Sequence, residues 1–303
     1  NAFNGVNPFG SRDTGATIWK LVNKQYQQVP VALDFSSLAS QAVGPPGSAF
    51  EMSCDGRGFA DIGRKLISGK QLIPLGTQHV SLTDSVLGGL AIKNKTGLST
   101  TYMNMIQKAF RPEFTQTTMV GSGQYTEIES NFSLFFGLSV QLYESTLVSD
   151  NTPFDQFMAG NGAALTTRQQ IGLSVFAGQG RCVACHAGPE LTKASVAAVS
   201  VQHTERMVMG NGGCAAYDNG FYNIGVRQTA NDIGLGGQDP FGNPLSETGM
   251  AAIWKFTDAN LKTPFGTSPC DSRVNVDGTF KTPSLRNVEL NGPYFNNPMF
   301  NRA

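Results

Sequence analysis

Cys182, Val183, Ala184, Cys185 and His186 read C-x-x-C-H, the pattern by which a chain carries haem covalently. Two thiols at this spacing add to the haem vinyl groups, and the next residue supplies an imidazole nitrogen to the iron. All three fixed positions therefore have a chemical reason. A bare C-x-x-C is shared with zinc half-sites and thioredoxin-like dithiols, but no second C-x-x-C completes a zinc site here, and His186 completes the haem pattern. A polypeptide built round such a group devotes part of its core to porphyrin, so loop-heavy sequence with short helices is expected beside the motif.

The chain has 303 residues, too many for one small cytochrome. Its 22 basic and 22 acidic residues cancel, which points away from nucleic acid and anionic membrane surfaces as partners. The longest apolar run, Phe132 to Val140, is broken by Ser and Gly and is too short to span a bilayer. Haem of this type is attached on the oxidising side of a membrane, so a mature, exported, periplasmic protein is expected. Cys54, Cys214 and Cys270 lie outside the motif. In an oxidising compartment Cys214 and Cys270, both in Gly- and Pro-rich sequence, are candidates for a bridge that leaves Cys54 free; three unbridged, buried thiols are the alternative.

Helical patterns dominate, with no run of alternating strands. Helices are predicted over Asp13–Gln27, Phe59–Ser68, Ser99–Phe110 and Tyr125–Ser149. The last carries Phe132, Phe135, Phe136, Leu138 and Leu142 on one broad face, a core-helix pattern. Asn151–Asn161, rich in Gly, Pro and Asn, reads as a junction between a first domain (1–160) and a second (161–303). A helix then opens at Thr166, where Thr166 and Gln169 have capping-box spacing, and Ile171, Val175 and Phe176 lead into the C-x-x-C-H.

Three segments in this order and spacing carry a resemblance: Gln41-Ala-Val-Gly-Pro45 through Glu51-Met52, then Cys182–His186, then Lys281-Thr-Pro-Ser-Leu-Arg286 through Asn291-Gly-Pro293-Tyr-Phe295. Together they resemble the bacterial di-haem cytochrome c peroxidases and their relatives, including the enzyme that matures a tryptophan-derived quinone cofactor. The resemblance implies a mainly α fold of two cytochrome c-like haem domains. It places Gln41, Pro45 and Glu51 on the open face of a peroxide-reacting haem, with Glu51 as the acid–base residue and Gln41 orienting peroxide by hydrogen bonding. It makes His186 the proximal ligand of an electron-receiving haem, sets Arg286 against a haem propionate, and offers main-chain carbonyls of Asn291 and Pro293 to calcium. Read from residues alone, Gln41–Met52 is rather a surface loop followed by a helix, with Glu51 near the helix start, while a surface ion pair explains Arg286 and a rigid turn Pro293 equally well. His79 reads as a solvated loop histidine, and His203 carries still less signal.

Two departures from the family pattern stand out. A second, earlier C-x-x-C-H is absent, and Asn1–Gly10 resembles sequence just downstream of that site. The first haem domain is therefore expected to be incomplete, with its anchor upstream. Near the other end Asn296 replaces a family histidine, which leaves the sixth ligand of the second haem open between Met299, Tyr294 and a residue beyond Ala303; a thioether would raise the potential.

The expected activity is reduction of hydrogen peroxide to water with electrons from a small donor, a cytochrome c or cupredoxin. Oxidation of an organic molecule or a protein side chain is the alternative within the family, and a plain electron carrier the alternative outside it. A homodimer is compatible with the resemblance.

Overall fold

The structure is a computed structural model that describes residues 3, 16–33, 35–68, 72–209, 211–239, 242–254, 266 and 268–290. The expectations placed on Asn291, Pro293, Tyr294, Asn296 and Met299 lie outside these residues. Two units divide the chain, one holding Phe3 and residues 16–147, the other residues 148–290. Helix outweighs strand, and the named strands pair only two by two, in four antiparallel ribbons.

The first unit opens on a hairpin where a helix over Asp13–Gln27 was expected: β1 (Thr17–Val22) pairs with β2 (Gln25–Pro30). Asn23 and Lys24 both take positive φ, 51° and 66°, which gives a two-residue turn whose twist suits a right-handed ribbon. Ile18, Val22 and Val29 are β-branched and fit the pleat. After the hairpin come α1 (Ser37–Ala42), α2 (Gly44–Gly47) and α3 (Phe59–Ile67), then α4 (Tyr102–Ala109), capped by Thr101, whose hydroxyl accepts the Asn104 N–H. The predicted helices at Phe59 and Ser99 are therefore present, slightly shortened.

The long helix expected over Tyr125–Ser149 is divided. A ribbon of β3 (Met119–Val120) and β4 (Tyr125–Thr126) runs into α5 (Glu127–Ser130), and α6 (Phe132–Glu144) follows after a break at Asn131. Asn131 explains the break: its fully buried amide accepts from Trp19 N (2.8 Å) and donates to Trp19 O (2.8 Å) and Phe114 O (3.0 Å). A side chain committed to a neighbouring strand competes with helix continuation.

Two apolar clusters fill this unit. Phe3, Ile18, Val31, Ala39 and Leu134 form one; Ile67, Ile106, Ile128, Phe132 and Phe135 form the other. The Phe132 face is thus core, as its pattern predicts, although Leu142 is exposed. Gly63 and Gly137 let neighbours close on α6: a Cβ on Gly63 would stand 2.8 Å from Phe132 Cβ, and one on Gly137 2.7 Å from Ala39 O.

In the second unit the expected junction sequence contains α7 (Pro153–Met158), with a capping box between Thr152 and Asp155. Next is α8 (Thr167–Ala177), whose start carries the predicted capping box: Thr166 N–H donates to Gln169 Oε1 (2.8 Å) and Gln169 N–H to Thr166 Oγ1 (3.3 Å). Beyond the C-x-x-C-H lie α9 (Val196–Val199), a ribbon of β5 (Thr204–Val208) and β6 (Cys214–Asp218), α10 (Glu247–Trp254), and β7 (Phe221–Tyr222) paired with β8 (Phe280–Lys281). Cys214 and Cys270 are disulfide-bonded, Cα atoms 4.9 Å apart, and Cys54 is a free, exposed thiol. Beside the bridge Arg206 grips Asp271 through two parallel hydrogen bonds of 2.6 and 2.8 Å.

Candidate haem site and the Gln41–Glu51 segment

Helix α8 ends where Gly178 N–H donates to Ser174 O, and the chain reverses through Gly180 and Arg181, the latter in the left-handed region at φ 53°. This reversal presents a single 3-10 turn, Cys182–Ala184, closed by His186 N–H donating to Cys182 O at 2.9 Å. Both thiols are unbridged; Cys182 is exposed and Cys185 half-buried. The His186 ring is fixed by Nδ1–H donating to Leu191 O at 3.1 Å, which sets the tautomer and leaves Nε2 as the lone-pair nitrogen for a metal. The Phe176 ring lies 6.5 Å from it. Burial pushes the Cys185 thiol up; Lys193 opposes this and Glu205 adds to it.

These residues fit a covalently held haem. The donor set is complete, with two thiols and one oriented imidazole. Ile171 and Val175 on the helix before the motif and Val183 within it are exposed, and none of α7, α8 and α9 buries a residue. Both clusters of buried apolar side chains belong to the first unit. Tyr217, only 3% exposed and close enough to Cys185 for that thiol's charge to raise its pKa after burial and Glu205 have done so, carries a buried hydroxyl without a partner among the described residues. A buried hydroxyl wants a polar partner, and a carboxylate-bearing macrocycle would be able to supply one.

Arg286 belongs to the same unit. It donates to Asp155 Oδ2 (2.6 Å), to Pro189 O (2.8 Å) and to Ser149 O, and so ties α7 to the loop beyond the haem turn. Hydrogen bonds from Thr152, then from Arg286, hold the Asp155 carboxyl well below its usual range, at about 2. His203 is paired too, its Nδ1 lying 2.7 Å from Glu247 Oε2, whereas His79 is exposed in a loop.

In the first unit Gln41 lies on α1, Pro45 on α2 and Glu51 in the turn that follows. Met52 N–H and Ser48 N–H both donate to Pro45 O, at 3.3 and 3.1 Å, and Glu51 N–H donates to Ser48 O at 3.2 Å. These bonds fold Pro45 and Glu51 into one small loop directly after Gln41. Gln41 and Glu51 are exposed, and next to them Phe50 and Met52 are exposed as well. α3 begins only at Phe59, so Glu51 gains nothing from a helix start.

Several polar residues had no sequence signal. Glu205, Lys193 and Tyr222 meet near Cys185 only through strand register and loop closure. Glu127 and Glu129, on α5, are buried in the first unit. Glu129 accepts from Thr126 and Arg64, but Glu127 Oε1 has no partner among the described residues.

Comparison with known proteins places these features in context. No protein-family profile and no solved structure matches the chain. Curated proteins do. The cytochrome-c peroxidase IdrP2 of Denitromonas iodatirespirans is 31% identical over 157 residues, covering 52% of this chain and 35% of the relative. The methylamine utilization protein MauG of Methylorubrum extorquens is 26% identical over 152 residues, 50% of this chain and 27% of that protein. The cytochrome c551 peroxidase of Pseudomonas aeruginosa is 43% identical over 54 residues, 18% of this chain and 15% of the relative. The matched stretch thus spans about a third of the first relative's own length.

Proposed function

Because the chain belongs to the family of the cytochrome-c peroxidases and their MauG-type relatives, we propose that it is a periplasmic haem oxidoreductase that reduces hydrogen peroxide to water with electrons from a small cytochrome c or cupredoxin. The observation that carries this reading is the pinned His186 ring beside two unbridged thiols, in one chain with the folded Gln41–Pro45–Glu51 loop.

Haem at this site supplies one-electron exchange with the donor. Cys182 and Cys185 would hold it through thioethers and His186 through Nε2, while the Leu191 carbonyl keeps the imidazole oriented. Peroxide takes up two electrons and two protons to give two waters. Glu51, an exposed carboxylate on a short loop, is placed to accept a proton from one peroxide oxygen and return it to the other. Gln41 orients the peroxide through its amide, and Pro45 fixes the loop between them. In the reading of two cytochrome c-like domains, the haem that would supply this peroxide chemistry is a second one beside the Gln41–Glu51 loop. Calcium held by the Asn291 and Pro293 carbonyls belongs to the same reading.

Replacing Glu51 by Gln tests it: peroxide turnover is expected to fall about 100-fold or more with an unchanged haem spectrum. Unchanged turnover would remove Glu51 from the acid–base role, and a parent protein that consumes no peroxide would leave an electron carrier. An intact mass with haem-to-protein ratio counts the haems. The match to the methylamine utilization protein MauG, across 50% of the chain, keeps oxidation of an organic or protein substrate as the second reading, which the family resemblance implies. Substrate-dependent consumption of peroxide, without a reduced electron donor, would distinguish it.

A further inference from the structure

Lys193 is tied to the haem turn by its main chain, since its N–H donates to Cys185 O at 3.0 Å. Its ammonium reaches Glu205 Oε1 on β5 at 2.6 Å, and Tyr222 Oη on β7 donates to Glu205 Oε2 at 2.8 Å. Tyr217 faces Glu205 across the β5–β6 register and stands edge-on to Tyr222, ring centroids 5.5 Å apart. The pair is largely shielded, with side-chain exposures of 28% for Lys193 and 15% for Glu205. Charges so placed are screened less than surface charges.

Reduction adds one negative charge at a haem iron. A nearby cation stabilises the reduced form and a nearby carboxylate the oxidised form, so a pair at similar range leaves only a small net bias. We propose that Lys193 and Glu205 are positioning residues that set the reduction potential of the haem carried by Cys182 and Cys185, with Tyr222 holding the carboxylate in place. The proposal rests on haem attachment at that turn. It adds a control of electron entry that neither the C-x-x-C-H motif nor the Glu51 loop contains.

Spectroelectrochemical titration of the haem-loaded protein tests it. Lys193→Gln leaves Glu205 uncompensated and is expected to lower the potential; Glu205→Gln leaves Lys193 uncompensated and is expected to raise it. Each shift should be on the order of tenfold in the reduced-to-oxidised ratio at fixed ambient potential, ~59 mV for a one-electron couple. The double variant should return toward the parent value. Packing damage would move both single variants in the same direction, so shifts of like sign, or none, overturn the proposal. A double variant further displaced than either single one overturns it too. If the parent protein shows no covalent haem band, the attachment reading itself fails and takes the proposal with it.

Discussion

Glu127 is the residue whose environment most departs from what its type favours. It is 0% exposed, its Oε2 accepts the Gln116 N–H at 2.8 Å, and Oε1 is unsatisfied among the described residues. Burial raises its pKa to about 7, and the Gln116 hydrogen bond only partly opposes this. The sign of the consequence follows from proton counting. Between its ordinary value and about 7 the folded chain holds a proton that the unfolded chain has lost, so folding weakens as pH rises through that window. Glu127→Gln mimics the protonated side chain. It is expected to flatten the slope of stability between pH 5 and 8 and to stabilise the first unit by about 2 kcal/mol at the alkaline end. Urea unfolding across that pH range checks this. At this scale the C-x-x-C-H pattern of Cys182, Cys185 and His186 stood out in sequence because it depends on fixed short spacing. Glu127 was not, since nothing local distinguishes a carboxylate that starts an exposed helix from one that starts a buried helix.

Elements were legible where local chemistry set them. The Thr166–Gln169 capping box opens α8 as its spacing requires, because the reciprocal bonds lie within four residues. Expectation failed at the hairpin over residues 17–30 and at Asn131. In the first, a two-residue turn with positive φ at Asn23 and Lys24 overrode an apparent helical period. In the second, an asparagine bonds a strand more than a hundred residues away. The β5–β6 ribbon depends on covalent support of the same long-range kind. Cys214 and Cys270 close a loop across 56 residues, and Arg206 pairs with Asp271 just outside it. Burial pushes the Asp271 carboxyl up, but Arg206 and the Ser268 and Gly266 N–H groups outweigh burial and hold it low. By loop-closure entropy such a bridge contributes about 4 kcal/mol at most. A Cys214→Ser, Cys270→Ser variant is expected to lower the denaturant midpoint of the second unit by up to that equivalent while leaving the first unit unchanged. Intrinsic fluorescence and hydrogen exchange resolve the two.

On the scale of the whole molecule the two units are built on different principles. The first has two apolar clusters of ordinary protein type, organised on α6. The second is held by a disulfide, short ribbons, and side chains that bind main chain, such as Asp218 at the start of α10, which accepts from Ser246 Oγ and from the Glu247 and Thr248 N–H groups. Among its helices α7 and α8 bury no residue, and under the proposed haem reading that apolar surface would pack on the porphyrin. A Cys182→Ala, Cys185→Ala variant that cannot attach haem is expected to lose slow amide exchange throughout α8 and the 3-10 turn after it, with exchange in α3 and α6 unaffected. Equal protection with and without haem would show that the second unit stands on protein packing alone.

The sequence by itself displayed the C-x-x-C-H pattern, the helix that leads into it, the balance of charge and the three segments that carry the family resemblance. Each depends on short spacing or on composition, which a linear chain displays directly. Only the tertiary structure decided that residues 17–30 are a hairpin, that Asn131 stitches it to α6, that Cys214 meets Cys270, that Glu127 is buried, and that Lys193 and Glu205 stand as a charge pair beside the haem turn. Those facts join residues through strand register and long loop closure. Their partners are chosen by packing and by the need to satisfy buried polar groups, neither of which leaves a local signature in the order of residues.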